Sequence, residues 1–181
     1  CGVVAHPLID AMIQLRSEAG ITPGDVVSIE ARVNPLVVEL MNRKNPLVGL
    51  EGKFSVQHAC AVGLADGAAY PAQFTDARVK DPVIAALRDK VELTVDQSIK
   101  EDQVAVKVNL AGGRALERRV EHASGTPGNP MSDAQVEEKF RTLAEHTLPR
   151  NRVNRLVDTL WNLEQLSDIS DLTSLLSSRR R

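Results

Sequence analysis

Apolar and polar positions follow two periods along the chain. Over 6–19, Leu8, Ile9, Met12 and Ile13 recur at helical spacing. Pro7 suits a first helical position, where no N–H bond is lost, and Gly20 is a natural stop. From Val27 to Val33 the period falls to two. Val27, Ile29, Ala31 and Val33 alternate with Ser28, Glu30 and Arg32, which predicts a strand with one dry and one wet face. Asn34 and Pro35 then start a short helix through Met41, as a capping residue and a first residue. A loop rich in Asn, Pro and Gly covers 42–52. The next stretch, KFSVQHACAVGLAD from Lys53 to Asp66, is apolar almost all round, so it predicts a helix buried on most sides. Lys53 stands at the start of that helix and Gly67 at its end.

Asp81 and Pro82 begin another short helix through Leu87. Three strand-like runs follow: Val91, Leu93, Val95; then Val104, Val106, Val108, Leu110; then Leu116 to Val120. Ala111-Gly112-Gly113 marks a hairpin between the last two. Residues 122–131 are a loop by composition. Ser132 and Gln135 form a capping box, and Met131 with Val136 a hydrophobic staple, for a helix to about His146 with Val136, Phe140 and Leu143 on one face. Pro149 interrupts it. A further helix carries Val153, Leu156, Val157, Leu160 and Trp161, and a short last one Leu172, Leu175 and Leu176. Arg179, Arg180 and Arg181 are a solvated end. Three of the four strands sit together instead of alternating with helices. The pattern therefore predicts an α+β fold, one domain over residues 1–181, with a small antiparallel sheet of about four strands packed with helices.

Composition narrows the functional classes. The chain has 181 residues, 43% hydrophobic and 25% charged, with a formal charge of −2. That is an ordinary globular balance, long enough to fold without disulfides or metal, and it gives no basis for nucleic-acid binding. No apolar run approaches the ~18 residues of a membrane span. Aromatic residues are only 3%, which disfavours a stacking platform or an aromatic-lined pocket. Cys1 and Cys60 are the two cysteines, a number that fits a reduced, cytoplasmic compartment. The histidines show no metal-ligand spacing, so no metal is expected, and no glycine-rich phosphate loop supports nucleotide binding.

The most suggestive cluster is Gly52-Lys53-Phe54-Ser55-Val56-Gln57-His58. An ammonium at a helix start, beside unpaired backbone N–H groups, suits a carboxylate. A histidine on the same helix can move a proton near neutral pH. Five residues on an ideal helix is about 140° of rotation, so Lys53 and His58 converge only if Lys53 lies off the regular cylinder. Ser55 and His58 share a face. The plain alternatives stay open: a surface lysine, and a hydrogen-bonded core histidine. His6 sits before the first helix and reads equally as part of its cap region, and Asp10 on that helix is expected to face water.

Three stretches together resemble the MmgE/PrpD family: CGVVAHPLIDA at 1–11, NPLVGLEGKFSVQHACAVGLADG at 45–67, and GTPGNPMSDAQVEEKF at 125–140, in the family's order. The family includes 2-methylcitrate dehydratase, cis-aconitate decarboxylase and iminodisuccinate epimerase. The resemblance implies a smaller α+β domain, the C-terminal one, with a preceding helical domain absent from this sequence. It also implies cofactor-free chemistry on small di- or tricarboxylic acids, in a cleft between the two domains. Lys53 and His58 match the family's catalytic lysine and histidine, with Lys53, Ser55 and His6 expected to bind substrate. Gly52 departs from the Ala common at that position. The expected partners are the substrate, the helical domain and a second copy of the chain. With one wall of the cleft the isolated chain is expected to be inactive; a carboxylate-binding or dimerisation module without catalysis is the rival reading.

Overall fold

A computed structural model describes residues 1–177; the arginine-rich end lies outside the described residues. The chain forms two compact units, Cys1–Pro130 and a second one from Met131.

In the first unit, helix α1 (His6–Ala19) leads to strand β1 (Val26–Val33). Helices α2 (Pro35–Met41), α3 (Gly49–Gly52), α4 (Val56–Asp66), α5 (Asp76–Val79) and α6 (Pro82–Arg88) come next. Strands β2 (Val91–Val95), β3 (Val104–Leu110) and β4 (Ala115–Val120) complete the unit. The caps foreseen for α2 and α6 form: the Asn34 side chain accepts from the Leu36 N–H, and that of Asp81 from the Val83 and Ile84 N–H groups. Gly20 and Gly67 close α1 and α4 in the left-handed conformation.

The strand order is β2-β1-β3-β4. The β1–β3 and β3–β4 pairs are antiparallel, as expected, but β1 and β2 run parallel, with Ile29 opposite Val91. The sheet is therefore mixed. Helices α2 to α6 between β1 and β2 carry the chain back across the sheet, and such a crossover returns a strand in the same direction. Strand alternation also needs one correction. A register shift between Val26 and Ser28 puts Val26 in the core and turns Val27 outward. A bulge adds a residue and so reverses the face of what precedes it.

One sheet face packs on α1, and α4 packs against α1 and α6, around Leu8, Met12, Ile29, Leu64, Ile84 and Leu87, all essentially without solvent contact. Arg16 of α1 donates to the Leu64 and Ala65 carbonyls at 2.9 and 2.8 Å, satisfying the end of α4. The outer face carries Glu30, Arg32, Lys107, Glu117 and Arg119 around an open concavity of about 510 Å³.

The second unit contains α7 (Asp133–Ala144), α8 (Arg150–Trp161) and α9 (Ser170–Leu176). The Ser132–Gln135 capping box forms, and Pro149 caps α8. Leu156, Leu172 and Leu175 make a small core with Phe140, Leu148 and Leu166, while Leu176 stays exposed. Among the described residues no helix is long and apolar enough to cross a membrane.

Candidate functional site

The stretch expected as one helix from Lys53 is two helices with a sharp turn between them. Helix α3 ends at Gly52, and the Lys53 N–H closes it by bonding the Gly49 and Leu50 carbonyls, both at 3.2 Å. Ser55, not Lys53, is the N-cap of α4, its hydroxyl accepting from the His58 N–H at 3.1 Å. Lys53 thus lies off the α4 cylinder, in the turn that leads into it. Expecting a continuous helix overlooked the Ser55 cap, whose side chain competes for the N–H groups of the following turn.

The turn is held from outside. Asn42 pairs with Ser55 in a β-bridge, the Arg43 N–H donates to the Phe54 carbonyl at 3.1 Å, and Gln57 donates to the Asn42 side chain at 2.9 Å. Glu51 accepts from the Leu47 N–H at 2.7 Å and from Arg43 at 2.6 Å; these bonds hold its carboxyl below the usual glutamate value. On the other side the Gly49 N–H donates to Asp76 at 2.7 Å. The backbones approach closely there: a Cβ on Gly49 would lie 2.1 Å from the Phe74 oxygen.

Lys53 and Phe54 point to solvent, while Ser55 and His58 are fully buried. The Lys53 ammonium has no carboxylate partner among the described residues. The Ser55 hydroxyl, expected to bind substrate, serves as the helix cap and donates weakly to the Gln57 side chain at 3.5 Å. His6 opens α1 and is half-buried.

His58 sits against elements that sequence reasoning did not connect to it. Its Nε2 is 2.8 Å from the main-chain oxygen of Gln73, and its ring meets Phe74 edge-on at 5.4 Å between centroids. Its Nδ1 is buried with no hydrogen-bond partner among the described residues. Burial, chiefly, lowers its pKa below the ordinary histidine value. The Gln73 contact opposes this, the Arg88 and Arg78 charges add to it, and Asp66 opposes them. The imidazole is neutral at pH 7. Arg78 is paired with both Asp66 and Asp81, while the buried Arg88 donates to the Val79 carbonyl at 3.2 Å and leaves its Nε unpartnered. Only Pro71, a turn-starting residue in Tyr70-Pro71-Ala72-Gln73-Phe74, hinted at the turn that meets His58.

Gly52 has a similar steric reason. A Cβ there would stand 2.8 Å from Val79 Cγ2 and 3.3 Å from the His58 ring. Among the described residues no group of three or more His, Cys, Asp or Glu side chains converges as a metal site requires.

This turn lies inside the stretch matched by a family model, the MmgE/PrpD C-terminal domain, which covers residues 1–164. The chain belongs to the MmgE/PrpD family. Among curated proteins, human cis-aconitate decarboxylase is 29% identical over 180 residues, covering 94% of this chain and 37% of the human protein. Cis-aconitate decarboxylase of Aspergillus terreus is 28% identical over 141 residues, 74% of this chain and 29% of its own length. The mitochondrial 2-methylcitrate dehydratase of Yarrowia lipolytica is 24% identical over 157 residues, 76% of this chain and 29% of the relative. This MmgE/PrpD chain therefore spans only about a third of the curated relatives it matches. The α+β unit of a family C-terminal domain is what the first 130 residues form.

Proposed function

We propose that this chain is the carboxylate-binding part of a cofactor-independent enzyme that acts on small di- or tricarboxylic acids in the cytoplasm. The reaction is decarboxylation, dehydration or epimerisation, each passing through a carbanion-like stage built by proton removal next to a carboxylate. The observation that carries the reading is the Lys53 ammonium: exposed, without a carboxylate partner among the described residues, and presented by a turn braced from both sides. Negative charge that builds on a substrate carboxylate is stabilised by a cation already held in place. The neutral imidazole of His58, on the helix that follows, is the group to move the proton. Ser55 contributes by fixing the turn between them, and His6 is a further substrate-binding group.

One wall does not make a cleft that excludes water or orients a substrate. Leu47, Leu50 and Phe54 are each more than half exposed beside Lys53, an apolar rim that fits a second, helical wall. The isolated chain is therefore inactive in this reading, and it self-associates through its apolar surface.

The test is a titration of the chain with cis-aconitate and 2-methylcitrate, followed by NMR at Lys53, alongside an assay of turnover. Shifts at Lys53 without turnover are expected. Turnover by the chain alone would overturn the inactivity, and no shift with either acid would overturn the site. The rival module without catalysis binds equally but stays inactive when the helical part of the protein is restored.

A further inference from the structure

A carbonyl oxygen only accepts hydrogen bonds. At 2.8 Å from the Gln73 oxygen, His58 Nε2 must therefore carry a hydrogen. In a neutral imidazole that leaves the lone pair on Nδ1. We propose that the turn Pro71–Phe74 is a positioning element for His58: Gln73 fixes the Nε2–H tautomer and leaves Nδ1 as the nitrogen that takes up a proton.

Several features hold the ring to that arrangement. The turn has its own brace, since the Gln73 side chain accepts from the Tyr70 N–H at 3.0 Å and the Gln73 N–H donates to the Tyr70 carbonyl at 2.9 Å. Phe74 packs edge-on against the imidazole, and the space above Gly52 is too small for a methyl group without contact with Val79 and the ring. The ring cannot flip to exchange its nitrogens without losing the Gln73 bond. Nδ1 is buried and has no donor among the described residues. Nearly all buried polar atoms find a partner, so an orphaned acceptor calls for an explanation, and a proton-accepting role supplies one. The groups whose charges act on the ring are Arg88 of α6, Arg78 of α5 and Asp66 of α4. The two cations disfavour an imidazolium at rest.

The consequence rests on the reading of His58 as the proton-moving group. On that reading the ring, fully buried in the described chain, is uncovered when substrate binds; its Nδ1 lone pair then takes the proton from the carbon next to the substrate carboxylate, and the C–H electrons pass to the carboxylate oxygens. The imidazolium so formed keeps its Nε2–H on Gln73 throughout. Gln73 is then a positioning residue and does not touch substrate.

The experiment uses the full chain with ¹⁵N-labelled histidine. Long-range ¹H–¹⁵N spectra at pH 7 are expected to give a pyrrole-type Nε2 and a pyridine-type Nδ1 for His58. The opposite tautomer, or an even mixture, overturns the proposal. Two substitutions check it independently by stability. His58→Gln places an amide N–H where Nε2 stood, and His58→Asn places one where Nδ1 stood, so H58Q should melt above H58N; the reverse order overturns it. Gln73→Ala is expected to shift both ring nitrogens towards an averaged signal, and Gln73→Glu, which keeps an acceptor for the Tyr70 N–H, to restore them. Q73A keeps the main-chain carbonyl that His58 bonds, so unchanged nitrogens there would overturn the bracing role of the Gln73 side chain. Finally, cis-aconitate is added. A shift at Nδ1 larger than at Nε2 supports Nδ1 as the reacting atom, and a shift at Lys53 with Nδ1 unmoved overturns it. Absence of any shift at Lys53 defeats the carboxylate reading instead, and the tautomer then stands or falls on the ligand-free spectrum.

Discussion

The carboxylate of Asp10, in the second turn of α1, accepts a 2.6 Å hydrogen bond from the backbone N–H of Ser124. Sequence reasoning expected Asp10 to face water; from the surface it also ties the first family-like stretch to the loop that opens the third. Asp10→Ala should therefore free that loop, at roughly 1 kcal/mol of stability for one lost hydrogen bond. Hydrogen exchange at the Ser124 amide is the direct measurement. Faster exchange in D10A, largely restored in Asp10→Asn, is the expected pattern; equal protection in all three would show that the loop holds itself.

Gly52 and Val79 compete for one space beside His58. Gly52→Ala should cost roughly 1–3 kcal/mol, the usual range for an overpacked site. Val79→Ala removes the methyl group 2.8 Å from the added Cβ, so the double variant should recover part of that loss. A double-mutant cycle on thermal unfolding reads the coupling. Strictly additive losses would mean that the two positions do not share the space.

The depressed pKa of His58 has a sign that can be checked. An unfolded chain binds a proton at this side chain near the ordinary histidine value of about 6.5, and the folded chain only at lower pH. Between the two values the unfolded state holds more protons. The histidine's contribution is thus fully present above pH ~6.5 and is lost as pH falls from there towards the folded value. Urea midpoints from pH 8 to pH 5 should decline below ~6.5, and more shallowly in His58→Gln. Parallel curves for the two proteins would assign the decline to other groups.

Lys53 is the complementary case, exposed and without a carboxylate partner among the described residues. Lys53→Ala should leave stability within about 0.5 kcal/mol, as for most surface substitutions. It should at the same time abolish the response of the chain to cis-aconitate. Calorimetry with the acid and a melting curve measure both. Retained binding would move the carboxylate site elsewhere.

Local chemistry made much of this fold legible. Pro7, Gly20, Asn34 and the Ser132–Gln135 pair act within one helical turn of their own position, and each sets a boundary where it was expected. Alternation located every strand, and it failed only at Val27, where a bulge adds a residue that no local pattern marks. Lys53, Ser55 and His58 stood out because an ammonium, a hydroxyl and an imidazole lie within six residues of one another.

Sequence alone therefore determined most of the elements and the family, and nominated Lys53, Ser55 and His58, since these readings depend on neighbours along the chain. Tertiary structure decided what crosses long separations. The parallel placement of β2 depends on the path of the helices between it and β1, which a strand's own alternation does not record. The separation of Lys53 from the α4 cylinder depends on a turn braced by Asn42, Arg43 and Asp76. The state of His58 depends on Gln73 and Arg88, 15 and 30 positions away, because burial and a fixed carbonyl set an imidazole's protonation only once the chain has brought them to it.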